Sequence, residues 1–222
     1  LIDTGNGTKW EDKYKDIYNI NNEKYNIEFS LNKYGFTAND ITDVICTHLH
    51  FDHVGGNTMI DSGRIIPTFP NANYWVSKEN WELANHPSQK DSGSFMEENW
   101  KVLAENQMIK IVNGENIFID GIDVHLTYGH TEGLMHPVIS DENNTLFYGA
   151  DIFPMASHIP IPWVMAYDIQ PVITMQEKAD LLIQMYENNW ILFLEHDPKI
   201  QACNIGWSGR QYHLKNKVMI SE

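Results

Sequence analysis

Apolar positions recur along this chain at two spacings, and the switches between them mark out its elements. Over residues 25–34, Ile27, Leu31 and Tyr34 stand at helical spacing, and Gly35 ends the run. Residues 5–22 are polar and aromatic without a clear period and read as a long loop. Asn39-Asp40 begins a turn, and a short apolar strand follows over 44–47. Tyr74-Trp75-Val76 is strand-like, and Ser77 can cap a helix that runs through Trp81 to Asn85. A second helix is expected over 94–106, with Phe95, Trp100 and Leu103 on its apolar side. Strands are expected over 109–112, 117–119 and 122–128. A hairpin is expected over 138–148 with its turn at Asn143-Asn144. Residues 171–188 read as a helix that buries Leu181, Leu182 and Met185, and 191–194 as an apolar strand. A last hairpin over 201–215 turns at Ser208-Gly209. Strands and helices mix and hairpins are frequent. This excludes a purely parallel doubly wound sheet and predicts an α+β fold, with sheets packed face to face and helices outside.

Composition narrows the picture. With 222 residues, 42% of them hydrophobic, the chain can fill one sizeable core, and a single domain over 1–222 is expected. No stretch nears the roughly 20 apolar residues of a membrane-spanning helix. A formal charge of -15 repels phosphate backbones, so neither nucleic acid nor a membrane is an expected partner. Cys46 lies in an apolar run and reads as a buried free thiol. Cys203 lies in a polar stretch, and nothing asks for a disulfide between them, which fits a reducing, cytoplasmic setting. The chain opens on Leu1-Ile2-Asp3-Thr4-Gly5, the end of a strand entering a glycine turn, without a methionine. Upstream residues are therefore expected, and with them the place where a signal peptide would stand. Trp10, Tyr14 and Tyr18 read either as a homodimer surface or as side chains whose packing partners lie upstream.

The chemistry concentrates in His48-Leu49-His50-Phe51-Asp52-His53. In extended chain His48 and His50 point the same way and can reach one cation. Asp52 and His53 follow as the chain turns and can face a second, and Gly55-Gly56 allow a sharp bend. Imidazole and carboxylate suit zinc first, and manganese, iron, cobalt or nickel as well. Three further candidates each follow an apolar strand: His130 in Gly129-His130-Thr131, Asp151 in Gly149-Ala150-Asp151, and His196 in Glu195-His196-Asp197. Ligands at strand ends converge on one sheet edge, a rigid place for a site. Among the remaining histidines, His125 reads as structural and His136 as a support behind the ligands.

The order His-x-His-x-Asp-His, Gly-His-Thr, Gly-Ala-Asp and a late histidine resembles the metallo-β-lactamase superfamily over nearly the whole chain. Phe69-Pro70-Asn71-Ala72, Glu98-Asn99-Trp100 and Trp163-Val164-Met165-Ala166-Tyr167-Asp168 look like its quorum-quenching lactonases. The resemblance implies an αββα four-layer sandwich, here without its first N-terminal strands, and two divalent metal ions at one edge. It implies that His48, His50 and His130 hold one metal, Asp52, His53 and His196 the other, and that Asp151 bridges them. Two cations can share one water and bring its pKa to about 7, so a bridging hydroxide would be the nucleophile. Asp52 would pass a proton to the leaving group.

Within the resemblance, His50 stands where redox diiron members carry glutamate, and Asp151 where zinc β-lactamases often carry cysteine. Both point to hydrolysis of other bonds. Pro154 replaces a tyrosine that some lactonases use against the carbonyl, leaving His158 and Tyr167 as the nearest alternatives. Together with Trp163, in the apolar loop 155–167, they form a candidate substrate wall that suits an acyl chain. The expected substrate is a lactone or similar small ester, an N-acyl-homoserine-lactone-like molecule first. A thioester, as in glyoxalase II, or a phosphotriester is the alternative, and a non-catalytic metal-binding or sensor protein is the reading from another class.

Overall fold

The computed structural model describes residues 1–21, 26–114 and 119–220. The chain divides into two compact units, Leu1–Val112 and Asn113–Glu222.

The first unit opens with a helix, α1 (Asp12–Tyr18), where the sequence suggests a loop. None of its residues is buried, so there is no core-facing stripe for periodicity to reveal. Its tyrosines, with Trp10 just before the helix, pack on one another and on Phe51 instead, with ring centroids 5.2 Å apart for Trp10–Phe51 and 5.4 Å for Tyr18–Phe51. The next helix, α2 (Ile27–Lys33), is the expected one, capped by the Asn26 side chain, which accepts from Phe29 N; Tyr25 lies outside the described residues. Strand β1 (Asp43–Ile45) ends before the expected 47, and a single helical turn, α3 (Phe51–Val54), follows the histidine run.

Strands β2 (Thr58–Asp61) and β3 (Arg64–Pro67) form a hairpin. Its signal is the pair Ser62-Gly63, both at positive φ (49° and 76°), as a two-residue hairpin turn requires. Then come β4 (Asn73–Ser77) and α4 (Lys78–Asn85), whose first turn is capped by Ser77 as expected. The helix expected over 94–106 is broken into a 3-10 turn, Glu97–Asn99, and a short α5 (Lys101–Glu105). The reason lies in the backbone. Ser94 O accepts from Phe51 N (2.9 Å) and Phe95 bridges His50, so these residues brace the histidine run and cannot enter a helix. Strand β5 (Ile109–Val112) completes a parallel sheet of order β1-β4-β5 over a core that includes Val44, Leu49, Phe69, Tyr74, Trp100 and Leu103.

The second unit is built on a six-stranded sheet. Its strands are β6 (Ile122–Thr127), β7 (Leu134–Ser140), β8 (Thr145–Tyr148), β9 (Ile191–Phe193), β10 (Ala202–Trp207) and β11 (Tyr212–Val218), in the order β11-β10-β9-β8-β7-β6. Of the strand expected over 117–119, Ile117 and Phe118 lie outside the described residues, and Ile119 bridges Ile122. Both predicted hairpins form, and Asp141 accepts from Asn143 N and Asn144 N (2.7 Å each) to close the first. Helix α6 (Pro171–Glu187) makes the crossover from β8 to β9, which pair in parallel. Because β6-β7 and β7-β8 are antiparallel, β6, β8 and β9 all point the same way. Their C-terminal ends therefore share one edge of the sheet.

Cys46 and Cys203 are free, buried thiols, and burial pushes each pKa up to about 12. Cys203 sits in β10, where its polar sequence neighbours do not keep it exposed. Among the described residues, no helix is long and apolar enough to cross a membrane.

Candidate metal centre

In the first unit the backbone leaves β1 in extended form. Leu49 enters the core, fully buried, and its N–H donates to Asn80 Oδ1 on α4 (2.8 Å). The flanking His48 and His50 turn to the opposite side. His48 Nε2 stands 3.0 Å from His50 Nδ1, and both rings are buried. The turn α3 then carries Asp52 and His53, with His53 Nε2 3.8 Å from Asp52 Oδ2. Ligand atoms of His48 lie within 4.8 Å of those of His50 and of His53, as do those of Asp52 and His53. Asp52 is about one-third exposed and His53 wholly buried.

Asp3, held at φ 48°, braces this group from behind. Its carboxylate accepts from Thr47 N (2.7 Å), from the Thr47 hydroxyl (2.7 Å) and from His53 Nδ1 (2.9 Å). With its proton given to Asp3, Thr47 Oγ1 can accept from His48 Nδ1 at 3.0 Å. The network therefore assigns the Nδ1–H tautomer to both histidines, so that in each the lone pair is on Nε2, the nitrogen His48 turns toward His50 Nδ1. Gly55 and Gly56 serve close approach rather than a sharp bend. Gly55 has an ordinary helical φ of -57°, and a Cβ on either glycine would strike the backbone of Asn6 or Thr4.

The second unit repeats this logic at its sheet edge. His130 follows β6, Asp151 follows β8 and His196 follows β9, as the sequence suggests. Asp151 presents one oxygen to each histidine: Oδ2 lies 3.3 Å from His130 Nε2, and Oδ1 lies 2.9 Å from His196 Nε2. A carboxylate divided in this way can bridge two cations. Asp168, buried, accepts from His130 Nδ1 (2.9 Å) and fixes the same tautomer as in the first unit. Glu177 on α6 accepts from Tyr128 N (2.6 Å) and Gly129 N (3.0 Å), holding the turn before His130. Gly129 packs so closely on Thr174 that a Cβ there would overlap it. Ala150, at φ 38°, takes the left-handed conformation just before Asp151, a strain of the kind concentrated at functional sites.

His136 supports this edge as expected. It lies on β7, buried, between Thr127 Oγ1 (2.8 Å) at the end of β6 and Tyr148 O (3.0 Å) at the end of β8. The carbonyl can only accept, so Nδ1 is the donor and Nε2 accepts the threonine proton. Burial drives its pKa down to about 3, in keeping with a neutral ring. His125 is half-buried within β6.

Of the seven predicted ligands, His48, His50, Asp52 and His53 form one set in the first unit, and His130, Asp151 and His196 form the other in the second. Imidazole nitrogens and carboxylate oxygens, with His48, His53 and His130 each fixed through Nδ1, are a donor set that fits zinc or a related divalent metal. His158 is half-buried in a 3-10 turn, Ala156–His158, and Trp163 and Tyr167 are 62% and 70% exposed. The sequence does not single out Asp3, Thr47, Asp168 or Glu177 as supports. Each acts across 38 or more residues except Thr47, whose ordinary place after a strand carries no signal.

Residues 1–196 match the family model described as the metallo-beta-lactamase superfamily. Among curated proteins, an N-acyl homoserine lactonase of a Bacillus species is 29% identical over 114 residues, 51% of this chain and 39% of that protein. A protein of the same name from Bacillus cereus is 26% identical over 116 residues, 52% of this chain and 40% of its own length. The matched stretch thus spans about two-fifths of these relatives. Among solved structures, a probable metal-dependent hydrolase from Staphylococcus aureus shares the fold with a TM-score of 0.85 at 24% identity, over 98% of this chain and 78% of that one. AidC, a dizinc quorum-quenching lactonase, does so with a TM-score of 0.78 at 22% identity, over 100% of this chain and 76% of that one.

Proposed function

Because the chain belongs to the metallo-β-lactamase superfamily and has its fold, we propose that it is a metal-dependent hydrolase that opens a lactone or similar small ester. An N-acyl-homoserine-lactone-like molecule is the favoured substrate. In this reading His48, His50 and His130 hold one divalent cation, Asp52, His53 and His196 hold a second, and Asp151 serves both. The observation that carries the reading is the shared orientation of His48, His53 and His130. Each has Nδ1 engaged by Thr47, Asp3 or Asp168, so that Nε2 is the ligating atom. The lactonase names of the curated relatives support the substrate class.

Bound cations would supply Lewis acidity toward the carbonyl oxygen and a water made acidic enough to attack at neutral pH. The chain's own residues do the rest. Asp3 and Asp168 accept from Nδ1 of His53 and His130 and fix both rings in direction. Asp52, a partly exposed carboxylate beside His53, takes the proton that the attacking water gives up as its oxygen bonds the carbonyl carbon, and passes it to the leaving alkoxide as the ring C–O bond breaks. His158, Trp163 and Tyr167 line the acyl side of the substrate.

Metal analysis coupled to a hydrolysis panel tests this. Purified protein is assayed on N-acyl homoserine lactones, thioesters and phosphotriesters, with and without chelator. The expected result is two divalent cations per chain, hydrolysis of lactones first, and loss of that activity on chelation. Fewer than two cations, or activity that survives chelation, would overturn the mechanism. Thioester or phosphotriester hydrolysis in place of lactone hydrolysis would overturn the substrate.

A further inference from the structure

Lys178 stands on the buried stripe of α6. With Thr174, Leu181, Leu182 and Met185 it makes the spacing i, i+4, i+7, i+8, i+11 from Thr174. Its side chain is wholly buried, which is rare for lysine. Among the described residues, no carboxylate accepts its protons. Its three donors go to three main-chain carbonyls of one loop: Pro160 O at 3.0 Å, Ile161 O at 3.3 Å and Trp163 O at 2.7 Å. The ammonium also lies 5.6 Å from the centre of the Phe153 ring. An ammonium has three donors, so the arrangement is saturated. A charge taken out of water at this cost stabilises little by itself unless it fixes something.

What it fixes is the middle of the segment between Asp151 and α6. The ends of that segment hang on the ligand-bearing turns. Near its start, His196 N donates to Pro154 O (3.1 Å), and Ala156 N donates to Asp197 Oδ2 (3.0 Å). At its far end Asp168 accepts from His130 Nδ1, Ile169 N donates to His130 O (3.1 Å), and Gln170 N donates to Gly129 O (2.8 Å). Between these anchors Ile159 is wholly buried, while Trp163 and Tyr167 face solvent. Trp163 and Tyr167 thus stand outside the core on a loop strapped at both ends and in the middle.

We propose that Lys178 is a positioning residue for substrate: by clasping the carbonyls of Pro160, Ile161 and Trp163, its ammonium holds the loop 155–168 so that Trp163 and Tyr167 receive the acyl chain of the lactone. This rests on the function proposed above. Because Asp168 is anchored separately to His130, and the next residues Ile169 and Gln170 to His130 O and Gly129 O, the clamp governs substrate affinity and leaves metal binding alone. The charged and titratable groups facing the ammonium are Asp168, which favours its charge, and His158, whose pKa is lowered by burial and then by Lys178. Burial also brings the lysine's own pKa down to about 8, so the clamp weakens in mildly alkaline solution.

The test compares the metal-loaded wild type with Lys178→Met on short- and long-chain N-acyl homoserine lactones. In the variant, KM for the long chain should rise about tenfold, with kcat and metal content nearly unchanged and little effect on the short chain. In the wild type, the long-chain KM should climb as pH passes about 8, and the variant should show no such inflection. Hydrogen–deuterium exchange reads the clamp without substrate. Protection of the Trp163 amide, corrected for intrinsic rate, should fall in the variant, and in the wild type it should fall across the same pH range. The wild-type arm decides even if Lys178→Met does not fold. A loss of kcat and metal with KM unchanged, or exchange indifferent to both substitution and pH, would overturn the proposal. Failure of the wild type to open any lactone would overturn the proposed function, while the exchange result would still judge the clamp.

Discussion

Asp3 and Asp52 both approach His53 and do different work. Asp3 is buried, accepts three hydrogen bonds and faces the Nδ1 side of the ring. Asp52 is partly exposed and faces the Nε2 side. Substitution should separate them. Asp3→Ala removes the acceptor that fixes the His53 ring and, through Thr47, the His48 ring. Metal affinity should then fall about 10- to 100-fold, measured by competition with a chromophoric chelator. Asp52→Asn keeps a ligand oxygen but loses the exchangeable proton. Turnover should fall about 100-fold or more, with metal content retained in the same preparation. Unchanged turnover with metal bound would remove the proton-transfer role. The sequence marks Asp52 by its company in a dense motif. Asp3 carries no such mark, because its partners Thr47 and His53 lie 44 and 50 residues away.

At the scale of elements, the candidate ligands His130, Asp151 and His196 depend on three parallel strand ends. His136 ties two of them together through Thr127 and Tyr148. Its folded pKa is lowered to about 3 by burial, against about 6.5 in the unfolded chain. Between those values the unfolded chain binds a proton that the folded chain refuses. This contribution to stability is therefore complete above about pH 6.5 and is lost as pH falls below it. Urea unfolding at about pH 7 and about pH 5 should show a smaller loss in His136→Gln than in the wild type. Equal losses would mean that His136 is charged in the fold. The elements themselves were legible where burial imposes a period, as in α6 and the two hairpins of the second unit. Helix α1 was not, because it buries nothing. The break at 94–99 was hidden because it follows from bonds to His50 and Phe51, not from local preference.

For the whole molecule, the proposed cations are also a stability term, since the ligand set exists only in the folded chain. Free metal at 100 times its Kd would add about 2.7 kcal/mol per site. Thermal unfolding should therefore shift to lower temperature on chelation and recover when zinc is returned. Asp3→Ala should show a smaller chelator shift than the wild type at the same free metal, which ties the residue-scale prediction to global stability. A Tm indifferent to chelator would count against tightly held cations. The charge of -15 has the same direction: carboxylates gathered in an acidic protein favour bound cations.

By itself, the sequence determined the candidate ligands' residue types and much of their local placement. Two-residue periodicity puts His48 and His50 on one side with Leu49 opposite, and apolar runs ending at His130, Asp151 and His196 announce strand ends. These are short-range consequences of backbone geometry. Only the tertiary structure decided which nitrogen of each supported imidazole is available, because that depends on Asp3, Thr47 and Asp168 reaching it in three dimensions. It also decided why glycine stands at 55, 56 and 129, where neighbouring chain passes too close for a Cβ. The burial of Lys178 on an apolar helix face likewise has no local signal, since its three acceptors lie 15 to 18 residues back along the chain, in the loop the ammonium holds.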